Sequence, residues 1–220
     1  MRAVALVSGG LDSLVATWAT AAEHEIALAL TADYGQRAAA REIRAAAKQA
    51  EALLVPHKVV KLPWLGELGG NALTDVTKPL PQIAATKLDD MGAATASAAG
   101  VWVPNRNGVL INVAGAFADA LGCELIVVGF NAEEGATFPD NTPGFMDATD
   151  AALAFSTRVH ACVHSPTAGL TKAEIVTLGE ALHAPLELAW SCYEGGEDHC
   201  GECESCRRLV RALGSLPPAW

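Results

Sequence analysis

Six consecutive residues near the start of the chain have the types and spacing of a phosphate-binding loop. The segment Ser8-Gly9-Gly10-Leu11-Asp12-Ser13 lies between an apolar run and a helix-forming stretch. Glycines allow the backbone to approach an anion closely, and the N–H groups of a helix N-terminus can converge on a phosphate. The predicted nucleotide-binding residues are Val7, Ser8, Gly9, Gly10, Leu11, Asp12 and Ser13. The alternative is an ordinary strand-to-helix turn in which Asp12 or Ser13 caps the helix.

The carboxylate of Asp12 predicts a divalent cation beside this loop. A carboxylate next to bound phosphate groups would be repelled unless a cation bridged them, so we predict Mg²⁺. The lysine of a Walker A loop is missing, and so is the dinucleotide-binding pattern G-x-G-x-x-G. Neither Ser8 nor Ser13 lies in the G-x-S-x-G sequence of a serine nucleophile, so we assign no covalent nucleophile.

Four cysteines near the end of the sequence have the spacing of a metal site. They form the pattern C-x7-C-x2-C-x2-C and are Cys192, Cys200, Cys203 and Cys206. Four thiolates suit tetrahedral zinc and leave no position open for water or substrate, so we predict one structural Zn²⁺ per chain. Tight cysteine runs also hold iron–sulfur clusters, which is the main alternative, and His199 could replace one thiolate.

The order of elements predicts a single α/β domain over residues 1–220, with a doubly wound, Rossmann-like parallel sheet. Apolar runs predict strands over 3–7, 25–31, 55–62, 124–130 and 159–163, and other segments predict helices over 14–22, 36–54, 108–121 and 145–158. A further helix is expected to begin at Thr171, because Ser/Thr followed three residues later by Glu is a capping box. Residues 63–104 are interpreted as an insertion of loop and helix, and residues 192–206 as a zinc-binding segment.

Composition restricts the location and partners of the protein. The chain is 51% hydrophobic and has a formal net charge of −10, so it can form a core but repels a phosphate backbone, and a nucleic-acid partner is disfavoured. The apolar run before Ser8 is too short for a signal sequence or a membrane span, which predicts a cytoplasmic protein without a membrane partner. Cysteines in that reducing compartment are expected to be thiols or metal ligands rather than disulfides.

The loop near residue 8 combined with the cysteine cluster resembles the 7-cyano-7-deazaguanine synthases, a family of the PP-loop ATP pyrophosphatase superfamily. Intermediate motifs occur in the order of that family over nearly the whole chain, at residues 33–37, 71–74, 103–107, 138–140, 172–174 and 191–193. The sequence departs from the family pattern most clearly at residues 131–134 and 141–144.

This resemblance implies an activity and a set of site residues. In such enzymes ATP adenylates 7-carboxy-7-deazaguanine, ammonia displaces AMP to give an amide, and renewed activation of the amide oxygen leaves a nitrile. Arg37, Arg106 and Lys172 then join Asp12 as candidate catalytic residues that hold phosphates or the substrate carboxylate. The predicted substrate-binding residues are Glu133 and Asp140, and Asp140 could accept hydrogen bonds from a guanine-like N1–H and amino edge.

Alternatives remain open at the level of residues and of function. Arg37 could be a solvated charge on its helix, Lys172 could simply lie at a helix N-terminus, and Asp140 could cap a turn. A PP-loop enzyme acting on another small carboxylate or on a tRNA base is the closest functional rival, and a non-catalytic nucleotide-binding module is a rival of another class. The predicted partners are small molecules, namely ATP, the carboxylate and ammonium, and a homodimer is left open.

Overall fold

The computed structural model describes residues 1–218 and contains a parallel sheet of five strands. The strands are β1 (Arg2–Leu6), β2 (Glu25–Asp33), β3 (His57–Lys61), β4 (Leu125–Val127) and β5 (Cys162–His164). Their order in the sheet is β3-β2-β1-β4-β5, so the chain winds outward from β1 to β3 and then crosses back to β4 on the other side of β1. The carboxyl ends of β1 and β4 therefore enclose the point at which the winding reverses, where open α/β sheets bind ligands.

Helices cover both faces of this sheet, which confirms the predicted doubly wound fold. The helices are α1 (Leu11–Ala21), α2 (Ala39–Ala52), α3 (Pro63–Glu67), α4 (Met91–Gly100), α5 (Arg106–Leu121), α6 (Ala132–Gly135), α7 (Pro143–Ser156), α8 (Lys172–Ala181) and α9 (Glu204–Leu213). Short 3₁₀ turns lie at Ala85–Lys87, Pro139–Asn141 and Leu186–Leu188. None of the helices in residues 1–218 combines the length and apolar character needed to cross a bilayer.

Successive side chains of each strand point to opposite faces of the sheet and so divide the core into two layers. Ala3 and Ala5 of β1 face α1 and α2, whereas Val4, between them, packs with Ile111 of α5 and Leu153 of α7. Because of this alternation, one short apolar run can fill both layers. The alanines on the first face let the two helices approach the sheet closely.

The predicted capping box at the start of α8 is confirmed. The Thr171 hydroxyl accepts a hydrogen bond from the Glu174 N–H, and the Glu174 carboxylate accepts one from the Thr171 N–H at 2.8 Å. The pKa of Glu174 is lowered by the backbone N–H of Thr171, which favours the ionised carboxylate. This local sequence fixes the residue at which α8 begins, and so the position of Lys172.

Several predicted boundaries were wrong, and one reason is steric. The prediction extended the fourth strand to residue 130, but β4 ends at Val127. A Cβ atom at Gly129 would lie 2.4 Å from the Ser13 nitrogen, so the chain after β4 passes directly over the N-terminus of α1. Residues 131–144, for which neither helix nor strand was predicted, contain α6 and a 3₁₀ turn, and α9 was not predicted at all.

Candidate active site and metal centre

The predicted phosphate loop connects β1 to α1 at the point where the winding reverses. Gly9 has φ +84, and a Cβ atom there would lie 2.6 Å from the Glu42 carbonyl oxygen, so glycine is required both by conformation and by space. The Ser8 and Ser13 hydroxyls lie 3.1 Å apart. Gly10 is the N-cap of α1 and no side chain caps this end, so the helix-capping alternative for Asp12 or Ser13 was wrong.

A cleft of about 270 Å³ opens beside this loop, between the carboxyl ends of β1 and β4. Its apolar wall includes Ala94 and Ala98 of α4, so the insertion closes one side. The charged side chains that line the cleft are Asp12, Glu42, Arg106, Glu133, Glu134, Lys172, Glu204 and Arg208. The sequence had singled out four of these, namely Asp12, Arg106, Glu133 and Lys172.

Lys172 joins the phosphate loop to the segment after β4. Its Nζ lies 2.6 Å from Asp12 Oδ2 and 3.1 Å from Glu134 Oε1. Burial alone would lower the pKa of Lys172, but the two carboxylates raise it above its ordinary value, so the ammonium persists. For Glu134 the directions are reversed: burial would raise the pKa of its carboxyl group, but the Lys172 ammonium lowers it.

Asp12 has the features of a cation ligand. Burial raises its pKa, and Lys172 opposes that rise. The second oxygen, Oδ1, is buried and has no hydrogen-bond partner among the described residues. A buried carboxylate oxygen without a partner is costly, whereas Mg²⁺ prefers such oxygens as ligands. The residue therefore fits the predicted role beside a bound cation.

Arg106 belongs to a second polar group in the cleft lining. Its Nη1 lies 3.2 Å from the Tyr34 hydroxyl. The amide of Gln36 donates to Glu42 Oε2 at 2.8 Å, and burial raises the pKa of Glu42. Sequence reasoning missed Tyr34, Gln36 and Glu42 as site residues, although Tyr34 and Gln36 lie in a motif that it had recognised.

Glu133 lies in the cleft wall with its carboxylate already engaged. Oε1 accepts the backbone N–H of Lys172 at 2.9 Å, and Oε2 accepts hydrogen bonds from Arg208 at 3.2 Å and Arg211 at 2.7 Å. Arg208 also donates to Glu204 at 2.8 Å. Two arginines of α9 thus fix the segment that precedes Glu134.

Two predicted site residues lie outside the cleft lining. Arg37 donates to the carbonyl oxygens of Asp75, at 2.8 Å, and Lys78. Its Nη1 is 3.6 Å from Glu194, so the side chain ties the insertion to the zinc-binding segment. Asp140 lies in a 3₁₀ turn, where its carboxylate accepts a hydrogen bond from the Asn141 amide at 3.4 Å; burial raises its pKa, and Arg106 opposes that rise. The structure does not bring either side chain together with Asp12 and Lys172, and their contact with substrate stays a prediction.

The four predicted cysteine ligands converge. The sulfur atoms of Cys192, Cys200, Cys203 and Cys206 all lie within 4.8 Å of one another. Tetrahedral zinc with Zn–S bonds of about 2.3 Å requires sulfur–sulfur separations of about 3.8 Å, and the distance from Cys200 to Cys206 is 3.9 Å.

Backbone groups support the thiols. The N–H of Cys200 donates to the Cys192 sulfur and that of Cys203 to the Cys200 sulfur, each at 3.3 Å. His199 instead stacks on Trp190 at 4.3 Å between ring centroids, and its Nε2 accepts a 3.4 Å hydrogen bond from the Ser191 N–H. The cluster of donors is therefore made of sulfur alone.

Sequence reasoning also missed Glu134, Tyr193, Glu204 and Arg208, which line the cleft. Tyr193 carried a usable signal, because it follows a metal ligand inside a recognised motif. Arg208 and Glu204 carried none, since their partners are distant in sequence and the helix that bears them was not predicted.

A doubly wound sheet with a Ser-Gly-Gly-x-Asp-Ser loop and a lysine–carboxylate group at its switch point defines a PP-loop type of ATP-dependent enzyme. The family model described as "Queuosine biosynthesis protein QueC" matches residues 2–216, and the chain belongs to this family.

Relatives named 7-cyano-7-deazaguanine synthase match over almost the whole chain. The protein of Desulforudis audaxviator is 52% identical over 98% of this chain and 97% of its own length. The protein of Desulforamulus reducens is 50% identical over 98% of this chain and 95% of its own length. That of Methanosarcina mazei is 44% identical over 98% and 95%.

Solved structures show weaker likeness. The U34-tRNA thiolase NcsA of Methanococcus maripaludis, with its [4Fe-4S] cluster, gives a TM-score of 0.48 at 14% identity, covering 97% of this chain and 71% of its own. NMN synthetase from Francisella tularensis gives a TM-score of 0.47 at 17% identity, covering 99% of this chain and 79% of its own. At such scores the likeness says nothing about chemistry.

Proposed function

We propose that this protein is an ATP-dependent 7-cyano-7-deazaguanine synthase, which converts 7-carboxy-7-deazaguanine and ammonia to the nitrile. The observation that carries the proposal is the contact of Lys172 with Asp12 at the mouth of the phosphate loop, inside a cleft large enough for small molecules. Family membership and relatives of that name support the choice of substrate.

The reaction proceeds by two activations, one of each oxygen of the substrate carboxylate. The carboxylate attacks the α-phosphorus of ATP and pyrophosphate leaves; ammonia then forms a C–N bond and AMP leaves, which gives the amide. A second ATP adenylates the amide oxygen, and loss of AMP and a proton completes the C≡N bond. Because each step passes through charged oxygens, catalysis is a matter of positioning and charge stabilisation.

Side chains of the cleft have distinct tasks in this scheme. The Ser8–Ser13 loop binds phosphate oxygens through N–H and O–H donors. Lys172 stabilises charge on the reacting phosphate, while Glu134 holds the side-chain ammonium group of Lys172 in place. Arg106, held by Tyr34, is available for the substrate carboxylate.

Two metals complete the proposal. Mg²⁺ would be held by Asp12 and would neutralise triphosphate charge. Zn²⁺ would be held by the four cysteines in a closed structural site that fixes α9. Persistence of these thiols requires a reducing compartment, so we propose the cytoplasm.

A second copy of the chain is the macromolecular partner that we propose. Phe155 on α7 is 95% exposed and is the side chain chosen to test a dimer contact. Analytical ultracentrifugation of the wild-type protein and Phe155→Asp would measure the oligomeric state, and identical monomers would contradict the homodimer.

The decisive experiment is an assay of the purified protein with ATP, Mg²⁺, ammonium and 7-carboxy-7-deazaguanine, with products identified by mass spectrometry. We expect amide and then nitrile, with one AMP and one pyrophosphate released per activation. Release of AMP with a different carboxylate but not with this one would contradict the substrate. No AMP release with any carboxylate would contradict an enzymatic role.

A further inference from the structure

Tyr193 connects the cysteine cluster to the centre of the cleft. It directly follows Cys192, and its backbone N–H hydrogen-bonds to the Cys203 sulfur. Two residues later, a Cβ atom at Gly195 would lie 2.4 Å from the Arg37 carbonyl oxygen, so the chain there packs tightly against the segment before α2. The backbone of Tyr193 is therefore fixed on both sides, and its side chain has a defined direction.

The side chain of Tyr193 lies in the cleft wall. Its ring packs between the hydrophobic cluster of the insertion, which includes Leu73 and Val101, and the cluster formed by the cysteines. Tyr193 shares the cleft lining with four charged residues, namely Glu134, Glu204, Arg106 and Lys172. The lysine–carboxylate group, the arginine group and this phenol therefore line one cleft.

The hydroxyl of Tyr193 is also a donor without an acceptor. The structure gives it no hydrogen-bond partner among residues 1–218, and Tyr193 lines the cleft. Its neighbours are all engaged: Lys172 with Asp12 and Glu134, Arg106 with Tyr34, and Glu204 with Ser97 and Arg208. A fixed donor that faces a substrate cleft is available to a ligand.

We propose that Tyr193 is a catalytic residue that donates a hydrogen bond to the carboxyl-derived oxygen of the substrate. This inference rests on the proposed function. The phosphates already have the loop N–H groups and the Ser8 and Ser13 hydroxyls, whereas Tyr193 lines the same cleft as Lys172 and Arg106 and offers a donor to the acyl oxygen. A neutral donor suits an oxygen whose charge changes during the reaction.

The step that gains most is attack of ammonia on the acyl adenylate. A C–N bond forms and the carbonyl π pair moves to oxygen; the added nitrogen then loses one proton to solvent, and return of the pair breaks the bond from carbon to the AMP oxygen and expels AMP. The Tyr193 hydroxyl keeps its proton throughout and stabilises the oxyanion, which resembles the role of an oxyanion-hole donor. Because the zinc-binding segment positions this residue, a structural metal would contribute to catalytic geometry without touching substrate.

The test is Tyr193→Phe, which keeps the ring and removes only the hydroxyl. Loss of one oxyanion donor lowers kcat by about 100- to 1000-fold, so we expect a fall of that size with the KM for ATP unchanged. Zinc content and Tm should match the wild type, since the ring packing and the backbone contact to Cys203 are retained. Wild-type kcat in Tyr193→Phe would overturn the inference, and so would loss of zinc or a lowered Tm that accounts for the lost activity.

A spectroscopic readout separates contact with substrate from a structural role. The chain has two tyrosines, so ring-labelled ¹³C-tyrosine gives two NMR signals, and Tyr34→Phe assigns them. Addition of 7-carboxy-7-deazaguanine should shift the Cζ signal of Tyr193, and an unmoved signal at saturating substrate would overturn the inference. If the wild type forms nitrile while Tyr193→Phe is fully active, only this inference fails. If the wild type forms no nitrile, the proposed function fails and the inference with it.

Discussion

Lys172 Nζ lies 2.6 Å from Asp12 Oδ2, so the first residue of α8 forms an ion pair with the phosphate loop 160 residues earlier. Both side chains are largely buried, with 12% and 17% of their surfaces exposed. A cation at a helix N-terminus opposes the helix dipole, and the two carboxylates at Asp12 and Glu134 offset that cost. The position and the protonation of the Lys172 side chain therefore depend on the phosphate loop.

Replacement of Asp12 by asparagine should abolish catalysis without unfolding the protein. The substitution keeps the shape and removes the charge that would hold Mg²⁺, while Lys172 retains Glu134 as a partner. We expect pyrophosphate release to fall by at least about 100-fold, the effect of losing one preorganised electrostatic group. Asp147→Asn, on the exposed side of α7, is the matched control. Unchanged pyrophosphate release in Asp12→Asn would contradict the assignment.

The stability of Lys172→Met should depend on pH. Without the ammonium, the buried Asp12 carboxylate loses the group that holds its pKa down, so its folded-state pKa rises further above the unfolded value of about 3.9. The folded variant then binds more protons than the unfolded chain, and its stability falls as pH rises through that window. In the wild type Glu134 gives the opposite contribution, because Lys172 lowers its pKa and the stabilisation that this provides is lost as pH falls.

The expected loss of unfolding free energy for Lys172→Met is about 3–5 kcal/mol at pH 7, and it should shrink below about pH 4. Urea unfolding at both pH values measures the difference. Lys172→Arg keeps the positive charge, so it should lose less unfolding free energy. That loss should not shrink between pH 7 and pH 4. An equal loss for Lys172→Met at both pH values would show that lost packing, rather than charge, governs its stability.

Local sequence determined the parts of the site that depend on short motifs. The Ser8–Ser13 loop, the cysteine ligands and the capping box at Thr171 each have their chemistry encoded within a few residues. The helix α9 was missed because it begins at Glu204, between the ligands Cys203 and Cys206, where the polar, cysteine-rich sequence is typical of turns.

Contacts between distant segments could not be predicted in the same way. Glu133 pairs with Arg208 across 75 residues, and no local pattern indicates that pairing. Arg37 lies in a recognised motif, yet its direction is set by the carbonyl oxygens of the insertion. Tertiary packing decided which recognised residues face the cleft.

Arg37→Met should loosen the insertion. The lost guanidinium donates to two carbonyl oxygens of that segment, and hydrogen bonds to charged groups contribute about 1.5–3 kcal/mol each. Cleavage by endoproteinase Lys-C at the exposed Lys78 and Lys87 should accelerate by about tenfold or more, since 1.4 kcal/mol is a factor of ten. Arg158→Met, whose side chain is 93% exposed, is the control. A raised KM for ATP with unchanged cleavage would instead support direct contact with phosphate.

The cysteine cluster should hold about one zinc ion per chain and give a colourless protein. Visible absorption with stoichiometric iron would show an iron–sulfur cluster instead. Cys203→Ser should lose zinc and melt at least about 5 °C lower, because about 2–4 °C corresponds to 1 kcal/mol in a chain of this size and a structural zinc contributes more than that. Cys162→Ser, outside the cluster, should keep its zinc.

Loss of zinc should also release the insertion, because α9 holds it by three arginines. Arg207 donates to the Ile83 carbonyl, Arg208 to that of Leu88 at 3.3 Å, and Arg211 to the Asp89 carboxylate at 2.6 Å. Since α9 begins beside two metal ligands, Cys203→Ser should accelerate Lys-C cleavage at Lys87 below its melting temperature, whereas Cys162→Ser should not. If Cys203→Ser lost its zinc while Lys87 stayed protected and the Tm stayed at the wild-type value, the metal would not be what anchors α9.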